Sequence, residues 1–329
     1  LAAGGRAGEV VFSGVGKTRA GLRRALALGV RCINVESLAE LDVLAAEAAA
    51  IGRRAPVSLR VNPDVDAGTH PYISTGLKAS KFGIAHEAAL AAYRRAAESP
   101  WLEVHGIDCH IGSQIAQLAP YLDALDRLLD LVEALAGAGI ALRHLDVGGG
   151  LAIGYDGSPV PDAAELVGRL VERIDARGHG ALELLLEPGR SLVGNAGVLL
   201  TEVLYLKPGE TRNFCIVDAA MNDLARPAMY DAWMAIEACR PGAAPRARWD
   251  VVGPICESGD WLGRDRELAV AAGDIVAVLS AGAYGMSMAS NYNSRPRAAE
   301  VMIDGDAVHL VRERESLASL YAGERLIGS

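Results

Sequence analysis

The sequence predicts an α/β fold followed by a β-rich part: a TIM-like (β/α)8 barrel lacking its first two strands in this chain, then a C-terminal β domain. Three observations predict it. From Glu9 to about Arg190, short β-branched runs alternate with amphipathic stretches, a pattern that demands parallel strands joined by crossover helices. Polar or glycine-rich residues gather just after those strands, at Asn62-Pro63, His110 to Gln114, Gly148 to Gly150 and Glu187 to Arg190. In a barrel that is the end where active sites lie. After about Gly197 helical periodicity gives way to short alternating runs and turns, so the expected domains are residues 1–196 and 197–329.

The expected strands of the first domain are "EVVFSG", "RCINVE", "VSLRVNP", "VHGIDCHIG", "LRHLDVGGG" and "LELLLEPGR". Ser37 with Glu40, and Asp162 with Glu165, have the spacing of capping boxes that open helices, and Gly29 and Gly52 are placed to close two others or the same ones. The first strand runs into "FSGVGKT", which ends like a phosphate-binding P-loop. That loop needs a glycine where Val11 stands, so the competing reading is an ordinary strand-to-helix turn with Thr18 as N-cap. In the second domain the strands are expected within "VLLTEVLYLKPGE", "NFCIVDAAM", "WDVVGPICESGDW", "DIVAVLSAGAYG" and "AAEVMIDGDAVHLVRER", with one helical stretch from Arg226 to Glu237.

The 329 residues are 51% apolar, enough for substantial cores, and carry a net charge of −9 with both signs mixed throughout. No basic stripe points to nucleic acid and no run of apolar residues reaches a membrane span. The five cysteines, Cys32, Cys109, Cys215, Cys239 and Cys256, are odd in number and widely spaced. That spacing argues against a disulfide framework and against structural zinc, and fits a reducing cytoplasm. The chain opens at Leu1 without methionine or a signal peptide, and we expect a truncated N-terminus.

Several stretches look chemical. "DVGGGL" lets backbone N–H groups approach an anion with no Cβ in the way, or else forms a tight turn. "EPGR" sets a carboxylate and a guanidinium at a strand exit, and "CHIGSQ" sets an imidazole and a hydroxyl at another. Each alone has a bland alternative, a surface turn or a core histidine. Three on one barrel face converge and strengthen one another. "GPICESGD" places the Cys256 thiol beside Glu257, against the alternative of an inert buried cysteine. Arg226 and Tyr230 are four apart and share a helical face, against the alternative of a solvated arginine. "AGAYGMSMASNYNSRPR" carries Tyr284 between glycine-flanked residues and a polar run that no β core needs.

Together with "INVES", "LRVNPD" and "HPYISTGLKASKFGI", these motifs resemble, in order and from about Val10 to the C-terminus, the diaminopimelate decarboxylase family of barrel-type (fold type III) PLP-dependent decarboxylases. The resemblance implies pyridoxal 5'-phosphate as cofactor, whose pyridine ring accepts the electrons left by departing CO2, and decarboxylation of meso-2,6-diaminopimelate to L-lysine. Glu187 then matches the carboxylate at the ring nitrogen, and His110 the imidazole stacked on the ring, with Ser113 near cofactor and substrate. Gly148, Gly149, Gly150, Gly189 and Arg190 match the phosphate-side groups, and Tyr284 a tyrosine that touches the cofactor and substrate. Arg190, Arg226 and Tyr230 resemble a clamp for the distal carboxylate, and Glu257 the partner of the distal ammonium. Cys256 matches the proton donor, brought by the "CESGD" loop from the partner subunit, which implies a homodimer with shared active sites. No metal, nucleic acid or membrane is implied.

One departure stands out. The family's cofactor lysine lies in a "Tyr-Ala-x-Lys-Ala-Asn" type motif that nothing here matches, and the lysines present are Lys17, Lys78, Lys81 and Lys207. The expectation is that the full-length protein is the enzyme and that the chain as written is inactive, the alternative being an anchor moved to Lys17. Three other functions compete: decarboxylation of another basic amino acid such as ornithine or arginine, a noncatalytic PLP-fold homologue, and a barrel enzyme that binds phosphate esters without PLP. Cysteine followed by Glu, where relatives acting on ornithine usually have Asp, favours the diacid.

Overall fold

The structure, a computed structural model, describes residues 1–68, 75–76, 80–241 and 243–327. Most of the "HPYISTGLKAS" stretch, with Lys78, lies outside the described residues. The chain forms two compact units, Leu1–Ala152 with Val160–Gly189, and Ile153–Pro159 with Arg190–Ser329.

In the first unit, β1 (Val11–Phe12), α1 (Arg19–Leu28), β2 (Cys32–Val35), α2 (Leu38–Ile51), β3 (Ala55–Asn62), β4 (Ile84–Ala85), α3 (His86–Glu98), β5 (Leu102–Asp108), α4 (Ala119–Gly137), β6 (His144–Asp146), α5 (Ala163–Ala176) and β7 (Glu183–Leu185) follow in order. The parallel sheet runs β1-β2-β3-β5-β6-β7, with the short β4 paired to β3. All six strands read from the sequence are present, and β4 was too short to leave a pattern. Every residue of β2 is buried, as parallel strands covered on both faces require. In α4 the residues Leu125, Leu128, Leu129, Val132 and Leu135 recur every three or four positions, and all are buried. Each such leucine stabilises the fold by about 1.5–3 kcal/mol.

Helix starts follow the sequence closely. Ser37 Oγ accepts the Glu40 N–H at 3.1 Å, and Asp162 Oδ1 accepts those of Ala164 and Glu165 at 2.7 and 3.1 Å. The reciprocal half of the first box shifts by one residue, since Glu40 accepts from the Glu36 N–H rather than that of Ser37. Gly29 and Gly52 close α1 and α2 in the left-handed conformation. Thr18 Oγ1 accepts the Gly21 N–H at 3.0 Å, so "FSGVGKT" is the capped strand-to-helix turn. Lys17 donates to the carbonyls of Gly14 and Asn34 at 2.6 and 2.5 Å and to Glu40 Oε1 at 2.7 Å, with its side chain almost wholly buried. An ammonium enclosed by three oxygens is held as structure, which disfavours both the P-loop and a displaced cofactor anchor at Lys17.

The second unit contains α6 (Arg190–Val193), β8 (Leu199–Lys207), β9 (Phe214–Val217), α7 (Arg226–Tyr230), β10 (Ile236–Ala238), β11 (Ala247–Val252), β12 (Trp261–Leu268), β13 (Ile275–Val278), β14 (Glu300–Asp304), β15 (Ala307–Arg312) and α8 (Leu317–Leu320). Its main sheet runs β10-β13-β8-β9-β11-β12, and the end strands β10 and β12 lie close enough to make it nearly a closed barrel. The helix expected from Arg226 to Glu237 is corrected: α7 ends at Tyr230, Asp231 turns at φ 50°, and Ile236–Ala238 joins the sheet. Met234 and Ile236 bury apolar side chains two residues apart, a strand period that sheet packing enforces over helical propensity.

Candidate active site

At the C-terminal ends of β5, β6 and β7 the first unit brings three of the sequence clusters together. The turn after β6 is built from backbone approach. A Cβ on Gly149 would stand 2.0 Å from the Glu187 carbonyl oxygen, one on Gly150 2.0 Å from that of Gly112, and one on Gly148 2.7 Å from His110 Nδ1. Gly148 (φ 72°) and Gly150 (φ 94°) also adopt backbone that side chains disfavour. The Gly149 N–H donates to His110 Nδ1 at 3.1 Å, the Gly148 N–H to Asp146 Oδ1 at 2.9 Å, and the Glu187 N–H to the Gly148 carbonyl at 2.9 Å. The three glycines are therefore required for the strand exits to interlock. Ser113 is half-buried in the same loop as His110, beside Gln114 in the left-handed region. Gly189 has open space where a side chain would stand.

Burial, and secondarily the charge of Arg60, push the His110 imidazole down to about 4. It is neutral at pH 7, and its Nδ1 is an acceptor toward Gly149. Two carboxylates at strand ends lie beside Glu187: oxygens of Asp108, Asp146 and Glu187 sit within 4.8 Å of one another. Burial, then the neighbouring carboxylates, raise Asp108 far above the usual range, and the same causes push Asp146 up to about 7. The raised Asp108 favours its protonated form, which eases repulsion in a cluster that has Glu187 at its solvent side. Arg60 offsets the charge from β3, paired at 2.9 Å with the buried Glu36. No local signal marks Asp108 or Asp146 as buried acids, because "GID" and "HLD" read as strand ends.

Glu187 Oε1 accepts from Ser13 Oγ at 3.2 Å, and Ser13 Oγ accepts from Asn34 Nδ2 at 3.0 Å. Ser13 belongs to "FSGVGKT" and Asn34 to "INVES", where nothing local marks a role at the site.

The second unit gathers its own cluster. Arg226 lies over the Tyr155 ring at 4.6 Å, Arg190 over that of Tyr284 at 4.7 Å, and Arg190 Nη1 donates to Tyr155 Oη at 2.5 Å. Both arginines are buried. Arg226 Nη1 has no hydrogen-bond partner among the described residues, an unsatisfied buried donor of the kind an anion satisfies. Burial lowers the Arg226 pKa, which stays above any working pH. Tyr230, half-buried at the end of α7, adds to the field at Arg226. Tyr155 escaped the sequence reading because a tyrosine in "GYDG" looks like any turn residue.

Cys256 is exposed, and its Sγ accepts from Asn293 Nδ2 at 3.5 Å. Glu257 hydrogen-bonds the Tyr292 phenol and raises its pKa. Tyr284 and Asn293 both take left-handed backbone, at φ 58° and 56°. All five cysteines are free thiols.

Residues 1–194 match the family described as pyridoxal-dependent decarboxylase, pyridoxal binding domain. The chain is 61% identical over 327 residues to the diaminopimelate decarboxylase of Pseudomonas aeruginosa, covering 99% of this chain and 78% of that protein. Against the diaminopimelate decarboxylase of Vibrio cholerae the identity is 55%, with the same coverage. Among solved structures, diaminopimelate decarboxylase from Helicobacter pylori complexed with L-lysine is 40% identical, with a TM-score of 0.92 over 98% of this chain and 80% of that one. The enzyme from M. jannaschii in co-complex with L-lysine is 38% identical, with a TM-score of 0.93 over 98% and 75%.

Proposed function

The chain belongs to the pyridoxal-dependent decarboxylases and, within them, to the diaminopimelate decarboxylases, and from that membership we infer that it is a carboxy-lyase converting meso-2,6-diaminopimelate to L-lysine and CO2, the last step of lysine biosynthesis. The observation that carries this reading is the convergence of His110, the 148–150 turn and Glu187 at one end of the parallel sheet.

The donor set fits pyridoxal 5'-phosphate: a carboxylate for a ring nitrogen, a neutral imidazole to lie flat on an aromatic face, and a side-chain-free turn for a phosphate. When bound, the cofactor supplies an electron sink for the bond that breaks. Glu187 would hold the proton at the ring nitrogen, His110 would pack on the ring, and Ser113 would stand near cofactor and substrate. Gly148, Gly149, Gly150, Gly189 and Arg190 would hold the phosphate side, and Tyr284 would contact cofactor and substrate. Arg190, Arg226 and Tyr230 bind the substrate's carboxylate, and Glu257 its distal ammonium. The buried Arg226 guanidinium with an unsatisfied Nη1 supports that clamp. As the C–C bond breaks and CO2 leaves, Cys256 Sγ delivers a proton to the carbon that held it, and the thiolate recovers one from water.

We extend the reading in three directions. The parallel sheet forms wall of a (β/α)8 barrel, with residues 1–196 as the cofactor-binding domain and residues 197–329 as a domain contributing to a dimer site. Two copies share active sites, each lending its Cys256 loop. The compartment is the reducing cytoplasm, supported by five free thiols; no helix among the described residues is long and apolar enough to cross a membrane.

The test is turnover by the full-length protein loaded with cofactor, since no lysine of this chain matches the family's cofactor anchor. Release of CO2 and lysine from meso-diaminopimelate, with ornithine and arginine at least a hundredfold slower by kcat/KM, is expected from the roughly 3 kcal/mol that a charge-assisted carboxylate contact contributes. Preference for ornithine would overturn the substrate; cofactor binding without any turnover of the three amino acids would favour a noncatalytic homologue.

A further inference from the structure

The "FSGVGKT" segment is a Thr18-capped strand-to-helix turn, and its Ser13 is aimed at the candidate cofactor carboxylate. We propose that Asn34 and Ser13 form a positioning relay that fixes the carboxylate of Glu187 for its contact with the ring nitrogen. This rests on the assignment of Glu187 made above.

A carboxylate offers only acceptors, so the contact of 3.2 Å from Ser13 Oγ to Glu187 Oε1 must use the single hydroxyl proton of Ser13. Ser13 Oγ can then only accept from its other neighbour, which requires Asn34 to present its amide nitrogen, as observed at 3.0 Å. Direction is thereby set along the chain from Asn34 to Ser13 to Glu187. Asn34 is a suitable origin because it cannot move. It is fully buried in β2, in register with Ser58 of β3, and its carbonyl accepts from Lys17 Nζ at 2.5 Å. Its Oδ1 has no partner among the described residues, so the amide is retained for its donor. Glu187 follows β7 and is fixed at its backbone by Gly148 and Gly149. Among the described residues Ser13 is the side chain that hydrogen-bonds its exposed carboxylate, and the neighbouring Asp108 and Asp146 carboxyls compete for its orientation. The motif that resembles a P-loop is thus recruited to the cofactor site through a hydroxyl rather than its lysine.

The relay is tested by titrating pyridoxal phosphate into the wild-type protein and variants, followed by cofactor absorbance, together with kcat and KM of the loaded enzyme. Ser13→Ala should weaken cofactor affinity roughly threefold to tenfold, the size of one hydrogen bond to a partly exposed charge. Ser13→Thr, which keeps the hydroxyl, should restore most of it. Asn34→Asp should match Ser13→Ala, because the introduced carboxylate captures the serine proton and turns it away from Glu187. The double variant should lose no more than either single one, and kcat should fall while KM for the substrate holds. Wild-type affinity in Ser13→Ala, with Glu187→Gln impaired, would overturn the relay and leave Glu187 in place. Multiplying losses in the double variant would also overturn it. Wild-type affinity in Glu187→Gln would overturn the assignment of Glu187 and the relay with it.

Discussion

Replacing Gly149 by alanine should damage the protein by an amount that the strand exits themselves determine. The new Cβ would stand 2.0 Å from the Glu187 carbonyl oxygen and 2.8 Å from its carbon, where ordinary contact begins at 3.4 Å. Both sides are backbone, so relief requires the turn after β6 and the segment after β7 to part by about 1.4 Å, beyond what close-packed interiors absorb. Overpacking of this kind costs about 1–3 kcal/mol. The movement also strains two hydrogen bonds, from Gly149 N–H to His110 Nδ1 and from Glu187 N–H to the Gly148 carbonyl, each contributing about 1 kcal/mol. The total is about 3–5 kcal/mol against a typical stability of about 5–15. Urea unfolding followed at 222 nm reports on the first unit, which holds the long helices α1 to α5. The midpoint should fall by roughly 1–3 M, with weaker cofactor binding. Gly189→Ala is the control: open space surrounds that position, and its stability should change by no more than about 0.5 kcal/mol. Equal midpoints for the Gly149 variant and the wild type would refute the interlocked-exit geometry.

Other outcomes follow from single groups. Cys256→Ala should slow turnover by about a hundredfold or more while cofactor affinity is kept, since a proton donor is removed and no anchor. Parallel loss of both would place Cys256 among the binding groups. Arg226→Ala should raise KM for diaminopimelate by about tenfold to a hundredfold through loss of a charge-assisted contact, and unchanged kinetics would put the clamp elsewhere. The pH dependence of stability has a defined sign. Burial, and then nearby positive charges, push His144 down to about 4, as burial does His110, so between pH 6.5 and 4 the unfolded chain binds more protons and stability falls with pH. Asp146, raised to about 7, acts oppositely, since the folded state keeps a proton there that the unfolded chain loses above pH 4. His144→Gln should therefore flatten the acid limb by up to about 1.4 kcal/mol per pH unit, and an identical slope would show that His144 titrates normally.

Most of the first unit is legible in the sequence because its signals are local. Ser37, Asp162 and Thr18 cap through their own side chains, and the longer strands of the parallel sheet sit in short runs rich in β-branched and aliphatic residues. The second unit is less so. Strand β10 is stabilised by β13, a partner distant in sequence, and "WLGRDREL" of β12 alternates too weakly to stand out. The site divides in the same way. His110, Glu187 and the three glycines announce themselves by residue type at a strand end. Tyr155, Asp108 and Asn34 gain meaning only from neighbours brought by the fold, as in the Arg226 guanidinium over the Tyr155 ring.

Lys17 bears on how that end of the sheet keeps its shape. Three oxygens at 2.5 to 2.7 Å enclose its ammonium, two of them backbone carbonyls, much as a loop would coordinate a potassium ion. Here the cation is covalently tethered, so it cannot be diluted away, exchanged by dialysis or displaced by another salt. The loop carrying Ser13 is thus ordered by an ion the chain brings with it, independent of the ionic composition of the surroundings.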